Sequence, residues 1–125
     1  MSSYEGIFDA EEIAAGIAAW AAIESPSFDA AAVNRMMDAA VHEMTALGAA
    51  VERIPGAEGY GDALRARFEW GEGPGILVLG HLDTVHLVGT LAETLAVKRD
   101  GDRLFGPGVL DMKGGVVLAL HALRA

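Results

Sequence analysis

The chain has no cysteine. That excludes disulfides and thiolate metal sites, and it leaves imidazole and carboxylate as the side chains that could ligate a metal. Positive charge is scarce. Lys and Arg number 9 against 18 Asp and Glu, for a net charge of −9. No basic patch is available to neutralise phosphates, so neither nucleic acid nor an anionic membrane surface is an expected partner. The acidic balance reads instead as a solubilising surface. No run approaches the ~18 apolar residues needed to span a bilayer. The opening residues Met1-Ser2-Ser3-Tyr4-Glu5-Gly6 lack the basic and apolar regions of a signal peptide. A cytoplasmic location is the expectation. The length of 125 residues suits one domain, with no internal repeat, low-complexity tract or interdomain linker. Hydrophobic residues make up 52%, but many are alanine, so the expected core is thinner than that fraction implies.

Periodicity places the elements. Asp9 can cap a first helix, with Glu12 three residues on in a capping-box arrangement, and Ile13, Ile17 and Trp20 then share a face. Glu24-Ser25-Pro26-Ser27 ends that helix, and Ser27 or Asp29 can cap the next. There Val33, Met37, Val41 (or Ala40), Met44 and Leu47 form an apolar stripe, read as core, and Gly48 supplies a C-terminal stop. Strands are predicted over 49–54 and 64–70, the second alternating apolar and charged as at a sheet edge. Ile76-Leu77-Val78-Leu79 shows no alternation, which suits a central strand covered on both faces. Segments 95–99 and 103–105 flank Asp100-Gly101-Asp102 as a hairpin, and 116–125 reads as a final helix. The expected fold class is α/β, a mixed, mostly parallel sheet flanked by helices.

The chemistry concentrates in two segments. Gly80-His81-Leu82-Asp83-Thr84-Val85 follows the apolar strand, and Gly106-Pro107-Gly108-Val109-Leu110-Asp111-Met112-Lys113-Gly114-Gly115 precedes the final helix. His81 and Asp83, two apart in extended chain, project to the same side. The carboxylate can then take one ring N–H and leave the other nitrogen free for a metal. Asp111 sits in a glycine-rich loop whose backbone can pass close to a ligand. Its carboxylate could bridge two metal ions ~3.5–4 Å apart, cap the helix starting near Lys113, or do both. A phosphate cradle is excluded, because the loop lacks a G-K-[ST] ending and carries an aspartate. His86, His42, His121 and Lys113 are read as structural or surface residues, and Glu69 and Glu72 as solvated.

The two segments resemble the N-terminal signatures of the zinc-dependent glutamate carboxypeptidase and aminoacylase family, which includes acetylornithine deacetylase and succinyl-diaminopimelate desuccinylase. The similarity extends to Ile23-Glu24-Ser25-Pro26-Ser27, to the long helix ending at Leu47-Gly48, and to 85–105 between the motifs. It covers nearly the whole chain. It implies that His81 binds one zinc, that Asp83 orients His81, and that Asp111 bridges two zincs, often with a cis peptide bond to the next residue, here Met112. It further implies amide hydrolysis. In that chemistry the metals activate a water and polarise the scissile carbonyl, and a glutamate takes the proton. The substrate would be a small peptide or N-acyl amino acid. The family's lid and dimerisation domain is inserted later in the chain, so a homodimer is an expectation for the full-length protein.

The sequence departs from the family pattern in one respect. The family's general base and a further ligand are consecutive glutamates well after the second motif, and here the only adjacent pair is Glu11-Glu12 in the first helix. Residues 1–125 therefore read as the N-terminal part of a catalytic metallopeptidase domain, with an incomplete dizinc site and no activity alone. The alternative is a non-catalytic short protein that keeps the fold as a binding or assembly module. A stop codon directly after Ala125 would favour that alternative. The unpartnered apolar faces of 76–79 and of the last helix predict an aggregation-prone species.

Overall fold

The computed structural model describes residues 6–125, so the reading of residues 1–5 as lacking a signal peptide lies outside the described residues. Helix α1 spans Ala10–Ala21. The Asp9 carboxylate caps it, accepting from the amides of Glu11 (2.8 Å) and Glu12 (3.2 Å). The capping box is only half formed, because the Glu12 carboxylate pairs with Arg124 at 2.9 Å. Helix α2 spans Ala30–Ala46, and of the two candidate caps it is Asp29 that accepts the Ala32 amide, at 3.0 Å. Gly48 takes a φ of 92°, a conformation glycine adopts without a Cβ penalty, and turns the chain out of α2.

The core gathers Trp20, Met36, Ala40, Leu82, Val117 and Leu120, with Ile17, Met37, Met44 and Leu47 partly buried against it. The predicted stripe on α2 is present, but Met36 rather than Met37 is its fully buried methionine. A fully buried Leu or Met contributes about 1.5–3 kcal/mol, so a core this small leaves a large role to polar anchors. Helix α4, Lys113–Arg124, packs on α1. Gly16 permits the approach, since a Cβ there would stand 3.3 Å from Val117 Cγ1.

Strands β1 (Ala50–Ile54) and β2 (Ala63–Arg67) pair antiparallel, with Val51 opposite Ala66 and Arg53 opposite Leu64. A polar knot ties this hairpin to α2. Asp62 accepts from the Gly56 amide (2.9 Å) and Arg53 Nε (2.7 Å), Asn34 Oδ1 accepts from the Asp62 amide (2.8 Å), and Arg53 also reaches Asp38 and the Asn34 carbonyl. The second predicted hairpin is β3 (Lys98–Asp100) with β4 (Arg103–Phe105), turning at Gly101. A short helix α3, Thr90–Glu93, lies between the two hairpins in sequence.

Two expectations are corrected. The described residues mix helices and strands, but their sheets are two antiparallel pairs, not one mostly parallel sheet. Their parallel pairing is confined to a bridge between Pro26 and Thr84. Residues 76–79 form no strand, and their side chains are 63% to 94% exposed. A strand exists only where a neighbour satisfies its backbone, and among the described residues no segment pairs with 76–79, while β2 ends at Arg67 rather than 70. Among the described residues no helix is long and apolar enough to cross a membrane.

Candidate metal centre

Leu82 is buried, which turns its neighbours His81 and Asp83 to the opposite side of the extended chain, where both are partly exposed. The His81 ring is held at both ends. Its Nδ1 lies 3.1 Å from the Asp83 carbonyl and 3.3 Å from Asp83 Oδ1. Its Nε2 lies 2.9 Å from Asp111 Oδ1, across 30 residues of chain. The three residues singled out in the two motifs are therefore brought together.

Asp111 does not cap α4. The capping position is Met112, without a side-chain hydrogen bond, and the Asp111 side chain is 81% exposed toward His81. The Asp111–Met112 peptide bond is cis. The loop before it packs tightly. Gly108 has a φ of 73°, and a Cβ there would stand 2.9 Å from Thr84 Cγ2 and 3.1 Å from Lys113 Cδ.

Every neighbour of the His81 ring nitrogens is an acceptor oxygen. A neutral imidazole satisfies only one of two such contacts, because one nitrogen carries no hydrogen. Partial burial lowers the His81 pKa. The hydrogen bonds to the Asp83 carbonyl and the Asp111 carboxylate, with the charges of Asp83 and Asp111, outweigh it and hold the pKa above the ordinary histidine value. Between Nε2 and Asp111 the arrangement calls for a proton or a cation. A nitrogen and a carboxylate oxygen are donors that a transition-metal ion such as zinc accepts. Two donors are a partial set, and among the described residues no group of three or more His, Cys, Asp or Glu is placed to hold a metal ion. His86 lines the same cleft, of about 210 Å³, without joining the pair.

Ser27 and Glu24 have partners that the sequence alone does not assign. The Ser27 hydroxyl, a candidate helix cap, instead donates to Asp83 Oδ2 at 2.5 Å. The Glu24 carboxylate accepts from the amides of Gly89 (2.9 Å) and Leu91 (3.3 Å). The Thr84 hydroxyl is buried without a hydrogen-bond partner. Serine and glutamate after a helix carry no local signal for partners more than 50 residues away, so only the fold reveals them. Lys113, read as structural, is fully buried and donates to the carbonyls of Trp20 (3.2 Å), in the last turn of α1, and of Ile23, just beyond it. Burial lowers its pKa to about 8, against the opposing pull of Glu24.

Residues 77–125 match the sequence profile of Peptidase family M20/M25/M40. The chain is 35% identical over 106 residues to Carboxypeptidase G2 of Pseudomonas sp. (strain RS-16), an alignment that covers 82% of this chain and 25% of that protein. It is 39% identical over 61 residues to a Mycobacterium tuberculosis protein (strain CDC 1551 / Oshkosh) assigned the name succinyl-diaminopimelate desuccinylase DapE, covering 49% of this chain and 16% of that one. The chain thus spans a quarter or less of the length of these curated relatives.

Proposed function

From the match of residues 77–125, which hold both signature segments, to the M20/M25/M40 peptidase profile, and from the similarity to Carboxypeptidase G2, we propose that the chain contributes to a zinc-dependent hydrolase. The bond cleaved is the amide bond of a small peptide or an N-acyl amino acid. One observation carries the proposal: His81 Nε2 and Asp111 Oδ1 face each other at 2.9 Å with no hydrogen-bond donor between them other than a proton on the ring. In this reading His81 and Asp111 hold zinc and Asp83 orients His81. When bound, zinc supplies Lewis acidity and an activated water. The residues of this chain keep the imidazole aimed and the bridging carboxylate exposed. Residues 1–125 are then the N-terminal part of the catalytic domain, and the general base, the remaining ligands and any dimer contacts belong to further chain.

Two assays test this. The 125 residues with zinc and an N-acyl glutamate are expected to show no turnover. Turnover that His81→Ala abolishes would overturn the inertness of the isolated chain. The open reading frame that carries this sequence is expected to continue into a Glu-Glu pair and to encode a zinc-dependent amidase that His81→Ala and Asp111→Ala both inactivate. A frame that stops at Ala125 would favour the binding or assembly module instead.

A further inference from the structure

We propose that Ser27 is a positioning residue for the metal centre: its hydroxyl fixes the Asp83 carboxylate, and through it the tautomer and aim of His81. The proposal rests on the hydrolase reading for its purpose and on the geometry of the metal-free chain for its evidence. Asp83 divides its two oxygens. Oδ2 accepts from Ser27 Oγ at 2.5 Å, and Oδ1 faces His81 Nδ1 at 3.3 Å. Ser27 lies 56 residues earlier in the chain, and it arrives there because the backbone of the same tetrapeptide is stitched to the motif. The Thr84 amide donates to the Ser25 carbonyl (2.8 Å), and the Ser27 amide to the Thr84 carbonyl (3.0 Å). The buried Ser25 hydroxyl donates to the Leu82 carbonyl (2.6 Å). These contacts hold the segment without the Ser27 hydroxyl, whose remaining contact is a long one to the Thr84 carbonyl at 3.3 Å. The hydroxyl is therefore free for the carboxylate.

A carboxylate tethered through one oxygen loses rotamer freedom, and its other oxygen stays where the imidazole needs an acceptor. Beside the Asp83 carbonyl, which lies 3.1 Å from the same nitrogen, that oxygen adds an acceptor for hydrogen on Nδ1, the tautomer that leaves the Nε2 lone pair for a cation. Untethered, Asp83 can turn to solvent, and His81 is free to place its hydrogen on Nε2, toward Asp111.

The test is nitrogen NMR of the His81 ring in the metal-free 125-residue chain, at a pH where the imidazole is neutral. In the metal-free wild type, Asp83 at Nδ1 and Asp111 at Nε2 compete for the one ring hydrogen, so both tautomers are expected to be populated. Ser27→Ala is expected to lower the Nδ1–H to Nε2–H ratio by about two- to tenfold, the scale of one net hydrogen bond. Ser27→Thr, which keeps a hydroxyl, is expected to restore it. If Ser27→Ala does not fold, Ser27→Cys, close in shape and a poor donor, serves for the same ratio. A folded Ala or Cys variant with the wild-type ratio overturns the proposal. A zinc titration of the same samples separates the two ideas. Zinc that leaves the wild-type His81 resonances unmoved would defeat the metal reading, while the tautomer ratio would still decide the role of Ser27.

Discussion

His81 Nε2 and Asp111 Oδ1 stand 2.9 Å apart, and the carboxylate that could have capped α4 is spent on that contact instead. Replacing an N-cap aspartate by alanine costs about 0.5–2 kcal/mol. Asp111→Ala is expected to cost less than about 0.5 kcal/mol, as for an exposed side chain without a structural role. Denaturant unfolding decides it, and a loss above 1 kcal/mol would return Asp111 to the helix.

Adjacent glycines at the start of α4 are expected to answer oppositely to alanine. Both positions are helical, where alanine is favoured over glycine by about 1 kcal/mol. A Cβ at Gly114 would stand 2.2 Å from the Val109 carbonyl oxygen, a backbone atom that cannot step aside, whereas one at Gly115 would meet Met112 Cε at an ordinary 3.5 Å. Overpacking costs about 1–3 kcal/mol and outweighs propensity at the first position only. Gly114→Ala should therefore lower the melting temperature and Gly115→Ala should hold or raise it.

Acid stability should depend on the knot at Asp62. The Gly56 amide, then the Arg53 guanidinium, hold its pKa below the ordinary aspartate value. A carboxyl with a lowered folded pKa contributes stability that is fully present above its unfolded pKa and is lost as pH falls through the folded one. Asp62→Asn is expected to destabilise the chain at neutral pH and to match the wild type more closely near about pH 2. Parallel unfolding curves at the two pH values check this, and an equal gap at both would contradict it.

How far the sequence reached can be followed residue by residue. His81, Asp83 and Asp111 stand out in the sequence through the resemblance of their two motifs to a known family, since a histidine and an aspartate two apart are a weak signal alone, and the helix caps Asp9 and Asp29 stand out because capping is local. The role of Ser27 does not, since a serine beside a helix start signals a cap and its actual partner is 56 residues away. Ile76 to Leu79 was misread for a related reason. An unbroken apolar run indicates burial between neighbours, but strand formation depends on those neighbours, and none among the described residues pairs with it.

That run is exposed, with Ile76 at 94% and Leu77 at 81%. Exposed apolar patches promote association. Leu77→Lys with Leu79→Lys is expected to raise the concentration at which the chain stays monomeric, with stability changed by less than about 0.5 kcal/mol. Light scattering across a dilution series reads this out. Unchanged association would place the sticky surface elsewhere.

The most direct test of the metal centre is a zinc titration of the 125-residue chain followed by nitrogen NMR of its histidine rings. The expected result is a weak but saturable shift at His81 Nε2 that Asp111→Ala abolishes and that leaves His42 unmoved. A His81 resonance indifferent to excess zinc, or a shift that survives Asp111→Ala unchanged, would contradict a centre shared by these two residues.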